Sequence, residues 1–211
     1  MKRAPRPLHA LLGALLLFVV APAQAETWRV DLIVFRFLGG IEEAGRLPEA
    51  PNLQGAIELD NAGALSAAGI TLLPDSEFGL ADQWSRLKAS PQFRPLIKLA
   101  WTQNDPVPAG GPRLRVRSAT KLKLRDAQGL GEREFYDVDG TVALHLGRFL
   151  HLSSDLLLVV GGEEPKAWRL REERRMRSEE LHHLDSPRLG IVVKVVKWGP
   201  GLSPAQPSVT P

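Results

Sequence analysis

The sequence predicts a single α+β domain, mainly an antiparallel β-sheet with one or two covering helices. Three observations point there. Six or seven segments of strand length carry apolar residues, most of them at alternate positions, the period of a sheet buried on one face. Only one stretch has the i, i+4, i+7 spacing of an amphipathic helix. About 186 residues follow the N-terminal segment, enough for one domain with its own core, and no internal repeat is visible.

Residues 1–25 read as a secretory signal peptide. Lys2, Arg3 and Arg6 precede an apolar run over residues 8–20, and Ala23-Gln24-Ala25 offers a small-x-small cleavage site. The run is shorter than the roughly 20 residues a spanning helix needs. Cleavage after Ala25 is expected, leaving an exported, free chain that begins at Glu26. There are no cysteines, so disulfides, thiolate metal sites and lipidation on cysteine are excluded. The three leader bases also account for the formal charge of +3. From residue 26 onward bases and acids balance, which argues against a nucleic-acid partner. The balance is blocked: residues 86–125 hold 10 bases and 1 acid, and residues 126–165 hold 2 and 8. Such blocks are expected to neutralise one another across the fold.

Taken in order, residues 28–37 (Trp-Arg-Val-Asp-Leu-Ile-Val-Phe-Arg-Phe) are β-branched and aromatic, a strand near a sheet centre. Residues 39–60, with Pro48, Pro51 and several acids, read as a surface loop. Ser76 is placed to cap a helix whose stripe is Leu80, Trp84 and Leu87, and Ser90-Pro91 ends it. Residues 94–103 form a strand entered through Pro95. Beyond a Pro/Gly loop, residues 113–117 and 121–125 alternate strictly, with Arg113, Arg115, Arg117, Lys121, Lys123 and Arg125 outward. Alternation continues through Val138, Val142, Leu144 and Leu146, turns at Gly147-Arg148, and resumes from Leu150 to Val160. Residues 168–177 suit a helix by composition and a strand by pattern, and the strand is preferred. Residues 189–198 are a final strand. The domain thus runs over 26–198, and the Pro-rich, uncharged stretch 199–211 is expected to be a disordered tail.

No nucleophile elbow, zinc-peptidase helix or phosphate-cradling glycine loop is present, and no catalytic residue is expected. His182, His183 and Asp185 form the one dense titratable cluster, but adjacent side chains on an extended chain point to opposite sides. His145 and His151 can approach across the turn, where packing or surface roles are the simpler reading. No metal and no cofactor is expected.

Four stretches in order resemble the CsiV family of periplasmic proteins from Gram-negative bacteria. They are Trp28-Arg-Val-Asp-Leu-Ile-Val-Phe35; Trp84-Ser-Arg-Leu-Lys-Ala-Ser90 through Phe93 to Leu99-Ala-Trp101-Thr-Gln103; Gly140-Thr-Val-Ala-Leu144 to Arg148-Phe-Leu-His-Leu152; and Arg174-Arg-Met-Arg-Ser178 through Glu180-Leu-His182, Leu184-Asp185 and Pro187 to Gly190-Ile-Val-Val193. The family pattern favours His-Tyr-Leu-Asp-His-Pro in the last stretch; here His183 replaces the tyrosine and Ser186 the second histidine. The resemblance implies a periplasmic, non-catalytic peptidoglycan-binding accessory of cell-wall synthesis. It further implies work with an outer-membrane lipoprotein that activates a penicillin-binding protein. An adaptor that meets proteins without touching the wall is the alternative.

Peptidoglycan stems are rich in carboxylates, which arginine forks bind bidentately, and sugar faces accept aromatic rings. The outward set Arg113, Arg115, Arg117, Lys121, Lys123 and Arg125, extended by Arg175 and Arg177, is the candidate ligand-binding surface. The same stripe would also serve as a solvated edge that discourages strand pairing. Trp101 is a candidate for stacking, as is Trp168, although both also suit the core.

Overall fold

The computed structural model describes residues 26–39, 51–125, 132–161 and 165–199. The expected signal peptide, most of the acidic loop (40–50) and the tail from residue 200 lie outside the described residues. In chain order the elements are β1 (Thr27–Phe37), β2 (Ile57–Glu58), α1 (Ala62–Ala67), β3 (Ile70–Leu72), a 3-10 turn (Asp75–Glu77), α2 (Ala81–Ala89), β4 (Phe93–Asn104), β5 (Leu114–Arg117), β6 (Lys121–Arg125), β7 (Glu132–Tyr136), β8 (Val138–Leu146), β9 (Leu150–Val160), β10 (Lys166–Met176), β11 (Leu181–Asp185) and β12 (Leu189–Trp198).

The strands form two five-stranded sheets and a ribbon. The first sheet runs β11-β12-β1-β4-β3, the second β10-β9-β8-β5-β2, and β6-β7 pair alone. All pairings are antiparallel except the two-residue contact of β2 with β5. As its composition predicts, β1 is the central strand of its sheet.

The two sheets bury one common core. From the first come Val30, Leu32, Val34, Trp101, Ile191, Val193 and Val195, and from the second Leu114, Val116, Val138, Val142, Leu144, Leu152, Leu156, Leu158 and Leu170. Each fully buried side chain of this kind contributes about 1.5–3 kcal/mol. Gly140 is needed where β8 crosses β9: its φ is +157°, and a Cβ there would sit 2.1 Å from the Asp155 carbonyl oxygen.

The outer faces of the sheets are treated differently. On the first, Leu80, Trp84 and Leu87 of the α2 region pack over Ile33, Ala100 and Val192, the stripe that the spacing predicts. On the second, Leu122 and Phe135 of the ribbon cover only Leu157, Val159 and Ala167. The rest of that face has no covering element among the described residues.

Helix α2 begins later than the sequence suggests. Its N-cap is Leu80, without a side-chain capping bond, and Ser76 lies in the preceding 3-10 turn. A buried ion pair on β1 explains the delay. Arg29 and Asp31 have side chains only 3% and 6% exposed and join through Nε–Oδ2 at 2.8 Å. Arg29 also donates to the carbonyl of Glu77, and the Gly79 amide donates to Asp31 at 2.7 Å. Residues 77–79 therefore satisfy the buried charges instead of continuing a helix. Gly79 is required there, since a Cβ would lie 2.8 Å from the Asp31 carboxylate.

Removing one partner of such a pair strands the other in a dry site. Asp31→Ala is expected to cost about 3 kcal/mol or more, read as a lower urea midpoint. A loss below about 1 kcal/mol would show that Arg29 reaches water without it.

Candidate functional site

Period-2 alternation assigns the residues of the uncovered face. Leu144, Leu152, Leu156 and Leu170 point into the core, so their neighbours point outward. Register places them in rows: Arg115, Thr141, Asp155 and Arg171; then Ala143, Ser153 and Glu173; then His145, His151 and Arg175. The basic strands at the two sides of this sheet thus share one face, a point the sequence leaves open.

Two adjoining hollows run across the face. One, of about 440 Å³, lies among Arg113, Thr141, Ser153, Asp155, Arg171 and Glu173. The other, of about 450 Å³, lies among Gly110, Arg113, His145, Arg148, His151 and Glu173. Sharing Arg113, Ala143, Ser153 and Glu173, they form one shallow trough with cations, carboxylates, imidazoles and hydroxyls.

The expected basic surface is divided by its partners. Arg115 bridges Glu58 at 2.6 Å and Asp139 at 2.7 Å. Its guanidinium is pushed above its ordinary value, chiefly by the hydrogen bond to Asp139. Arg117 pairs with Glu58 at 3.2 Å and lies over Tyr136. Arg113 donates to the carbonyls of Asn52 and Gln54, holding the 52–54 loop at the rim. Lys121 pairs with Glu134 at 3.2 Å on the ribbon, and its ammonium is raised by that bond. Lys123 is exposed there opposite Glu134. Arg125 closes β6, and its side chain lies outside the described set. Arg175 rests on the Phe149 ring at 3.3 Å. Arg177 lies beyond β10, exposed and 3.5 Å from Glu180. The charge blocks do neutralise one another, as Glu58 and Asp139 against β5 illustrate.

Trp101 is corrected from surface candidate to core residue: it is 0% exposed and offers a sugar no face. The reason is its parity on β4, beside Val30 of β1. Trp168 is also buried and lies under Arg188. The exposed aromatic beside the trough is Phe149, in the β8–β9 turn. His182 does not join Asp185. Its Nε2 accepts the Arg177 amide at 3.0 Å, closing the turn between β10 and β11. His183 stacks on Phe35, centroids 5.7 Å apart, a packing role open to either a tyrosine or a histidine.

Two exposed cations of the trough are not among the candidates that the sequence suggests. Arg171 is exposed in the trough with no acid partner among the described residues. Its neighbour Asp155 is taken on both oxygens by Arg169, at 2.6 and 2.7 Å. Arg148 is exposed at the other end. Elsewhere, Arg36 pairs across strands with Arg94. Its guanidinium is held below its ordinary value, first by burial and then by Arg94 and Arg188. Three side chains could hold a metal ion together, His145, His151 and Glu173, with donor atoms all within 4.8 Å.

The family described as "Peptidoglycan-binding protein, CsiV" matches residues 8–198. Nothing among curated proteins or solved structures matches.

Paired and unpaired arginines should separate in stability. Arg115→Ala strands Asp139, leaves Glu58 to Arg117 alone, and is expected to cost about 1–3 kcal/mol. Arg171→Ala is expected to stay within about 0.5 kcal/mol of the parent. Urea unfolding of both variants checks this, and equal losses would contradict the division.

Proposed function

The chain belongs to the CsiV family of peptidoglycan-binding proteins, and from that premise we propose that it grips peptidoglycan through the open face of its second sheet. The single observation that carries this reading is the trough, the uncovered stretch where Arg148 and Arg171 stand without acid partners among the described residues. Guanidinium groups suit the stem carboxylates. Glu173 offers an acceptor for stem ammonium groups and sugar hydroxyls, and Phe149 supplies an aromatic edge at the rim. A trough of mixed sign fits a zwitterionic peptide better than a uniform basic stripe does.

In this proposal the protein works in the periplasm after export on residues 1–25. It binds the polymer rather than cutting it. It assists wall synthesis beside an outer-membrane lipoprotein that activates a penicillin-binding protein. The export pattern in the sequence and the family's description as a binding protein support the reading.

Sedimentation with isolated sacculi tests it. Retention is expected at low salt and should fall as the Debye length shrinks from about 10 Å at 0.1 M to about 3 Å at 1 M. The double variant Arg148→Glu/Arg171→Glu should lower retention several-fold, whereas Lys123→Glu, on the ribbon, should not. Retention indifferent to salt and to the double variant would remove the trough from the account. No retention at low salt would favour the protein–protein adaptor.

A further inference from the structure

We propose that His145, His151 and Glu173 form a binding site for a divalent transition-metal ion of the zinc type, with one coordination position open to the trough. The three residues come from β8, β9 and β10. His145 and His151 are direct cross-strand partners, and Glu173 lies opposite Ser153, one row away. Their inward neighbours lock all three onto the outer face.

The distances are those of a site awaiting its ion. The imidazole rings stack with centroids 5.4 Å apart and planes 16° from parallel. His145 Nε2 lies 3.4 Å from Glu173 Oε1, the separation of two ligands around a tetrahedral ion with bonds of about 2.0–2.1 Å. The remaining donor separations reach no more than 4.8 Å. Glu173, 60% exposed, and the half-buried His151 are free to close them.

The surroundings prepare the donors. His151 Nδ1 is 3.0 Å from the Phe149 carbonyl oxygen. That oxygen only accepts, so Nδ1 carries the proton and Nε2 keeps its lone pair. Ser153 Oγ donates to Glu173 Oε2 at 3.4 Å, which leaves Oε1 for the ion. His145 is 7% exposed, its Nδ1 has no partner, and its Nε2 meets only the long contact to Glu173. Nε2 of this buried imidazole is therefore only weakly held, and coordination there would replace its long contact to Glu173 with a metal bond. Two imidazoles and a carboxylate suit zinc better than magnesium or calcium. Arg148 and Arg175 lie on the Phe149 ring, and neither pairs with Glu173. The hollow of about 450 Å³ faces the remaining position. This site departs from the sequence expectation of no metal; it shares Glu173 with the trough, but its test uses the metal alone and no wall polymer.

Equilibrium dialysis of the tag-free chain against Zn²⁺, followed by metal quantification, tests the site. One ion per chain is expected. His145→Ala and His151→Ala should each abolish binding, Glu173→Gln should weaken it, and Ser153→Ala should weaken it about tenfold. His182→Ala should bind as the parent does. Co²⁺ in place of Zn²⁺ should show the visible absorption of a low-coordinate site, lost in the same variants while circular dichroism stays unchanged. No stoichiometric ion, an ion retained in both histidine variants, or equal loss in His182→Ala would overturn the proposal.

Discussion

Packing between the two sheets is the interaction on which the rest depends. Leu144, Leu152, Leu156 and Leu170 are held in a dry interior at 2% exposure or less. A strand offers its next side chain no choice of direction. The inward leucines therefore aim Thr141, His145, Ser153, Asp155, Arg171 and Glu173 outward. A one-residue slip in any of these strands would bring charge into the core and leucine to the surface. The core register beneath the trough thus fixes which residues line it.

The proposed binding face follows from an asymmetry in what covers the sheets. The helix closes the outer face of the first sheet, and the Arg29–Asp31 pair fastens the chain leading into it. On the second sheet, among the described residues, the ribbon closes only the end near Leu157 and Val159. Charge follows the same division. Arg115, Arg117 and Arg169 are spent on Glu58, Asp139 and Asp155, where they join strands and order the sheet edge. Arg171 and Arg148 lie where the trough is open. Among ten or more arginines on a balanced surface, partners decide which can meet a ligand, and partners belong to the fold.

Much of the fold was legible in the sequence because alternation is a local property. The bounds of β6, β8, β9 and β12 agree with the pattern, and β10 is a strand despite its helix-favouring Arg, Glu and Leu, since Ala167, Leu170 and Met176 have a core to reach. The short strands β2 and β3 were not legible, having too few residues for a period, and β7 lacks apolar contrast. Ser76 misled because its role depends on a buried ion pair 45 residues earlier. The candidate site was half legible. The outward arginines of β5 were found, but register alone brings Glu173 beside His145, and only burial shows that Trp101 is unavailable.

Backbone amide NMR during titration with a soluble disaccharide–tetrapeptide fragment of peptidoglycan tests the central claim most directly, because it reports every face of the protein at once. The account predicts shifts concentrated in residues 141–145, 148–155 and 171–175, with α2, β3 and β11 unmoved. Shifts centred on α2 or β11, with the trough silent at saturation, would contradict it.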